Sequence, residues 1–154
     1  MRIGIGMDVH PLKEDNPLIV GGVVIPSPLG SQGHSDGDAL IHAIVDALLG
    51  AAGLEDIGSY FPSTYDKWKN AHSAVFLKDC VQKIMNDGWK IENIDTIIIL
   101  QNPKVLKFVP KIKTKLSQIL HISENQISVK ATTTDHLGFI GKEIGWASQG
   151  QSMI

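Results

Sequence analysis

A single cysteine in 154 residues excludes an intrachain disulfide, so burial alone must hold the core, and a reducing compartment is the simpler expectation. Cys80 falls in a helical pattern with Val75, Phe76, Val81 and Ile84, which reads as packing rather than as a nucleophile. No apolar run approaches the ~18 residues of a membrane span, and the N-terminus lacks the apolar segment of a signal peptide. A cytoplasmic protein without a membrane partner is expected. Charge of one sign is also scarce: 14 basic against 16 acidic residues leave a net −2, which argues against nucleic acid or an anionic membrane surface. Internal repeats, low-complexity tracts and linkers are missing, so one domain over residues 1–154 is expected.

Three common phosphate and ester-cleaving motifs are absent as well. Gly4-Ile-Gly6 lacks the third glycine of a dinucleotide fingerprint and no helix follows it. There is no Gly-Lys-Ser/Thr phosphate loop, and no Gly-x-Ser-x-Gly elbow. What is present is the 43 % apolar and 19 % charged composition of a folded globular chain.

Its pattern predicts a strand over residues 2–9 and a hairpin over Leu18–Ile25, with Gly21-Gly22 supplying the positive φ angles of the turn. A loop through Pro26, Pro28 and Gly30 ends at Gly33-His34-Ser35-Asp36-Gly37-Asp38, where Ser35 or Asp36 could cap a helix running from about Asp38 to Ala52. Residues 54–70 read as a long irregular loop. Helices are expected over about 71–86 and, with Pro110 near a helix start, over 104–120. Residues 94–100 and 127–134 read as strands, followed by a Gly-rich turn at 138–141 and a weakly alternating last strand in 143–153. Strands alternate with helices without segregating. An α/β sandwich follows: a mixed four-stranded sheet with helices on one face.

Asp8 and His10 are two apart in a β-prone run and so share one strand face, while His42 lies on the helix after residue 38. A carboxylate and two imidazoles leave a fourth tetrahedral position open, as in a catalytic zinc site. Burying that pair without a partner or a metal would be costly. Asp38, His42 and Asp46 follow one helical stripe, so Asp38 or Asp46 could accept the outer N–H of His42; surface ion pairing is the alternative. The loop at 33–38 offers small residues, hydroxyl and imidazole groups before a helix N-terminus, which suits an anionic oxygen or serves only as a capping loop. Lys130-Ala-Thr-Thr-Thr-Asp135 ends a strand with hydroxyls and a carboxylate, beside which Gln101-Asn-Pro-Lys104 offers backbone groups and an amine.

Taken in order, Gly6-Met-Asp8-Val-His10, Gly21-Gly-Val-Val-Ile-Pro26, Gly33-His-Ser-Asp-Gly-Asp38, His42-Ala-Ile-Val-Asp-Ala-Leu-Leu-Gly-Ala-Ala52, Asp56-Ile-Gly-Ser-Tyr-Phe-Pro62, Gln101-Asn-Pro-Lys104 and Lys130-Ala-Thr-Thr-Thr134 with Gly138-Phe139 resemble the 2-C-methyl-D-erythritol 2,4-cyclodiphosphate synthase family of the non-mevalonate isoprenoid pathway. The resemblance implies a homotrimer with active sites at subunit interfaces. It also implies a cytidine diphosphate-linked substrate, 4-diphosphocytidyl-2-C-methyl-D-erythritol 2-phosphate. Its 2-phosphate would attack the β-phosphorus, close the cyclic diphosphate and release CMP. Asp8, His10 and His42 would hold a zinc-like ion, and a magnesium or manganese ion bridging the diphosphate would lie at Asp135.

By the same resemblance His34 and Thr133 stabilise the transition state, and Asp8, Val9, His10, His34 and Ser35 contact the substrate. Asp56, Ile57 and Gly58, then Phe61, Pro62, Ser63, Thr64 and Tyr65, lie along the methylerythritol and ribose. Leu100, Gln101, Asn102, Pro103, Lys104, Val105 and Leu106 with Thr132, Thr133 and Thr134 cradle cytosine and phosphates, and Asp135, Phe139 and Lys142 complete the substrate-binding set. The chain departs from the family pattern at Asp135, where glutamate is usual, and at His136, Pro11, Ser63, Tyr65 and Lys142, where glycine, arginine, aspartate, aspartate and arginine are usual. The alternative function is a non-catalytic, metal-dependent nucleotide or phosphate-binding protein on the same fold. A zinc hydrolase would need a base beside the triad, and none is evident.

Overall fold

Twelve residues of alternating exposure, Ile3–Glu14, form the first and longest strand, β1. The computed structural model describes residues 1–154. Leu18–Val20 (β2) and Val23–Ile25 (β3) close the expected hairpin, with Gly21 and Gly22 at φ 60 and 73°. Leu29–Ser31 (β4) pairs antiparallel with the end of β1. Helix α1 spans Ala39–Ala52, the short helix α2 Ile57–Tyr60, and α3 Ser73–Asn86. Asn93–Ile99 (β5), helix α4 (Val109–Leu120), Ile127–Thr132 (β6), the single turn α5 (Gly138–Gly141) and Gly145–Met153 (β7) complete the chain.

The main sheet has five strands in the order β4-β1-β7-β5-β6, one more than the expected four. The added strand is β4, three residues lying among Pro26, Pro28 and Gly30 whose turn chemistry hid its strand character. β5 and β6 are parallel and the other pairs antiparallel, so the sheet is mixed as expected. The tail strand β7 is not peripheral; it lies mid-sheet, its Trp146, Ala147, Ser148, Gly150 and Ser152 buried. Two boundaries also move. The fourth helix begins at Val109 after a 3₁₀ turn at 106–108, with Pro110 in its first turn, and residues 138–141 form a helical turn.

The core lies between the sheet and α1, α3 and α4, with Leu40, Ile41, Ile44, Leu48, Leu77, Ile84, Ile94, Ile98, Ile112 and Leu116 fully buried. α1 lies directly on β1 because β1 has glycines beneath it. A Cβ on Gly4 would stand 1.9 Å from the Ala47 carbonyl oxygen, and one on Gly6 2.2 Å from that of Ala43. Gly4 and Gly6 are therefore a packing seam, which is why no dinucleotide site accompanies them. The opposite face of the sheet is bare: Ile3, Ile5 and Met7 are more than half exposed, in one row with Val9.

Candidate active site

The seam between β1 and α1 sets His42 over the strand that carries Asp8 and His10. Asp8 Oδ2 lies 2.9 Å from His10 Nε2 and 2.9 Å from His42 Nδ1, and the two ring nitrogens are 3.3 Å apart. Each outer nitrogen faces an acceptor. His10 Nδ1 reaches the Gln32 carbonyl at 3.1 Å, and His42 Nε2 reaches Ser73 Oγ at 2.9 Å and Ser35 Oγ at 3.3 Å. Both inner nitrogens thus converge on the carboxylate. A tetrahedral zinc with ligands at about 2.0–2.1 Å separates them by about 3.3 Å, so the three groups, half-buried and mutually close, fit such an ion. Burial opposes charge on Asp8, yet its close contacts with the His10 and His42 side chains hold its carboxyl well below the usual carboxylate range. Burial, the largest single effect, pulls His10 down, but the bond and charge of Asp8 together with the Gln32 carbonyl raise it overall.

Neither expected partner of His42 on α1 takes that part. Asp38 is itself the N-cap: fully buried, it accepts Ile41 N with one oxygen and the hairpin amides of Gly21 (3.0 Å) and Gly22 (2.6 Å). Burial pushes its carboxyl up to about 6 against those three amides. Asp46 instead accepts Ile57 N at 2.8 Å and anchors α2. Ser35 and Asp36, the expected caps, stand one step outward. Asp36 accepts Ser73 N at 3.0 Å and the Ser73 hydroxyl, latching the 34–37 loop to the start of α3.

The ligand group opens into a cavity of about 270 Å³ lined by His10, His34, Ser35, His42, Ile57, Gly58, Phe61, Ser63, Trp68 and Phe76. Phe61, Trp68 and Phe76 pack with ring centroids 4.7–5.6 Å apart and form its apolar wall. Trp68, Phe76, Ser73 and Asp36 were not singled out as site residues from the sequence. A serine opening a helix after His72 was the available signal for Ser73. Asp56 caps α2 through Ser59 N, while Pro62, Thr64 and Tyr65 lie outside the lining.

A second cavity of about 250 Å³ is lined by Leu100, Pro103, Lys104, Val105, Leu106, Ala131, Thr132 and Thr133, and shares no residue with the first. Leu100 and Val105 are core residues that also face it. Gln101 is buried and accepts His136 N at 3.2 Å, while Asn102 donates to Glu143. Asp135 accepts the Thr133 hydroxyl at 3.2 Å and stands outside the carboxylate–histidine group. Thr134 donates to the Leu137 carbonyl; Phe139 and Lys142 are exposed on the β6–β7 connection.

Strand register measures the gap between the halves. Val9 pairs with Ala147, Ala147 with Ile99 and Ile99 with Thr132. Three strand spacings of about 4.8 Å put β1 and β6 roughly 14 Å apart at that level. Both cavities are at the same end of the sheet.

The YgbB family model matches residues 1–154. A 2-C-methyl-D-erythritol 2,4-cyclodiphosphate synthase of Chlorobium phaeovibrioides is 47 % identical over all of this chain and 98 % of its own. The chain belongs to the YgbB family of 2-C-methyl-D-erythritol 2,4-cyclodiphosphate synthases. Among solved structures, a bifunctional IspDF from Campylobacter jejuni superposes with a TM-score of 0.94 at 42 % identity, over 98 % of this chain and 41 % of that longer one. A Plasmodium falciparum IspF described as a CDP complex superposes at 0.87 with 38 % identity, over 98 % and 93 % of the two chains. Both share the fold of this chain over nearly all of its length.

Proposed function

We propose that this chain performs the cyclisation for which its relatives are named: in 4-diphosphocytidyl-2-C-methyl-D-erythritol 2-phosphate the 2-phosphate attacks the β-phosphorus, giving 2-C-methyl-D-erythritol 2,4-cyclodiphosphate and CMP. The observation that carries this reading is the Asp8–His10–His42 group at the mouth of a cavity shared with His34 and Ser35. One P–O bond forms and the P–O bond to CMP breaks, so the substrate supplies both nucleophile and leaving group. The protein has to fold it so that attack is in line, and to stabilise the charge that gathers on the equatorial oxygens.

A divalent ion, zinc at Asp8, His10 and His42, would withdraw charge from a β-phosphate oxygen. His34 and Ser35 face the same cavity and would donate to the phosphates, while the Phe61–Trp68–Phe76 wall takes the carbon skeleton and excludes water. In the second cavity the turn at 100–106 would receive cytosine, and Thr133 would donate to the transferring phosphate. Asp135 alone is a sparse donor set, which suits magnesium or manganese carried largely by the substrate's own phosphates.

The roughly 14 Å gap between the halves on one sheet is closed in a homotrimer, where the metal half of one subunit meets the nucleotide half of the next. The bare apolar row of Ile3, Ile5, Met7 and Val9 offers a surface for that assembly. Mixed trimers test this. His42→Ala and Thr133→Ala are each expected to lose about 10²-fold or more in turnover. Refolded together in equal amounts, random assembly leaves about a quarter of the interfaces with both halves intact, and CMP release should recover to about that fraction. Failure of the mixture to exceed its components overturns the shared site; inorganic phosphate in place of the cyclic product overturns the cyclisation.

A further inference from the structure

Ser73 is fully buried, and it meets a metal-site histidine on one side and a carboxylate on the other. Its hydroxyl has a single hydrogen and donates it to Asp36 Oδ1; its amide donates to Asp36 Oδ2 at 3.0 Å. With that hydrogen committed, Ser73 Oγ can only accept from His42 Nε2, 2.9 Å away. Nε2 must then carry a hydrogen, and the Nδ1 lone pair is left for the side of Asp8 and His10. Asp36 is held in turn by the segment before α3: Asp36 N donates to the Ala71 carbonyl at 3.1 Å, and Asn70 N to the His34 carbonyl at 2.8 Å.

We propose that Ser73 and Asp36 are positioning residues that lock His42 in the Nε2–H tautomer and so present its Nδ1 to the metal. The proposal rests on reading Asp8, His10 and His42 as a metal site. Ser35 Oγ, at 3.3 Å from the same Nε2, is the weaker acceptor. It lines the cavity, which leaves its hydroxyl hydrogen for the substrate. The pair therefore ties the metal ligand to the loop that carries His34 and Ser35.

The two oxygens of Asp36 make opposite predictions for two variants. Ser73→Ala deletes the acceptor and frees the ring. In Asp36→Asn the Ser73 amide keeps the carboxamide oxygen on its side, so the carboxamide nitrogen donates to Ser73 Oγ. The Ser73 hydroxyl hydrogen then turns towards His42 Nε2, favouring the Nδ1–H form that cannot bind the metal through Nδ1.

The test uses the full chain, with Zn²⁺ affinity read by competition with a chromophoric chelator and the His42 tautomer by ¹⁵N NMR of the zinc-loaded protein. The unchanged chain should show Nε2–H with metal on Nδ1. Ser73→Ala should weaken Zn²⁺ binding by about 10- to 100-fold. Asp36→Asn should add an Nδ1–H population, which loss of packing alone would not produce. Zn²⁺ affinities within about twofold of the unchanged chain in both variants, with an unaltered His42 spectrum, overturn the proposal. If the unchanged chain itself fails to bind Zn²⁺, the metal reading beneath it falls instead.

Discussion

Gly6→Ala adds one methyl group to a residue of extended backbone, where alanine is ordinarily welcome, and should nevertheless cost the protein about 3 kcal/mol. The new Cβ would stand 2.2 Å from the Ala43 carbonyl oxygen, 2.7 Å from Ala47 N and 2.8 Å from Asp46 Cβ. Backbone atoms of a helix cannot yield like a flexible side chain, so α1 must lift from β1 by about 1 Å, and a gap of that size forfeits a quarter to a half of the dispersion across the seam. The same lift stretches the 2.9 Å contact between Asp8 and His42, which lies on that seam. Gly50→Ala is the control. Nothing lies within 4 Å of its Cβ position, and it is an exposed residue of the same helix. There alanine should stabilise by about 0.5–1 kcal/mol through helix propensity. Thermal unfolding at fixed protein concentration should show a fall of about 6–12 °C for Gly6→Ala and a rise of about 2 °C for Gly50→Ala. Shifts of the same sign and size would refute the seam argument.

Cys80 gives a pH prediction: burial first, then the nearby Asp79, pushes its thiol from 9.0 up to about 12. It should ignore a thiol reagent at pH 8 until the protein is unfolded. Above pH 9 the unfolded chain alone ionises, so this group should subtract about 1.4 kcal/mol of stability per pH unit; rapid labelling of the native protein would contradict it. Asp38→Asn turns a donor towards Gly21 N or Gly22 N, now 3.0 and 2.6 Å from carboxylate oxygens, and should cost about 1–3 kcal/mol by denaturant midpoint. Asp135→Glu should lower the Mg²⁺ concentration needed for half-maximal CMP release while leaving Zn²⁺ content unchanged; an unmoved Mg²⁺ titration would remove Asp135 from the second ion.

Local geometry was the legible part of the site. Asp8 and His10 are two residues apart on a strand, and that periodicity alone puts them on one face; Gly21-Gly22 between two apolar triplets dictates its own turn. Misassignments began where a polar side chain had several possible clients. Asp36 and Asp38 are both plausible caps, but the choice is made by the hairpin, whose two amides need a buried acceptor and take Asp38. Ser73 carried only the signal of a serine opening a helix and none of a role at His42, because the contact joins the start of α3 to the first turn of α1. β4 was hidden for a related reason: three residues among prolines become a strand only when the end of β1 is there to pair with them.

The order of the strands explains why the two cavities lie apart. β1, β5 and β6 run in the same direction, and all three place their chemistry at or near their carboxyl ends, where open sheets hold ligands. β7 runs between β1 and β5 with small residues where it underlies α1, so the carbonyls of Ala43 and Ala47 can approach Gly150 and Ser152. That packing fixes His42 rigidly over β1 and, by inserting a strand, also keeps Thr133 roughly three strand spacings from it. The precision of the Asp8–His10–His42 group and its separation from the cavity at 100–106 therefore have one cause, the central β7. A loop long enough to bridge them within one chain would put the transition-state donors on the most mobile kind of element. A second copy would present the β6 end from an equally rigid sheet, and this is the physical argument for the proposed assembly at the bare face of β1.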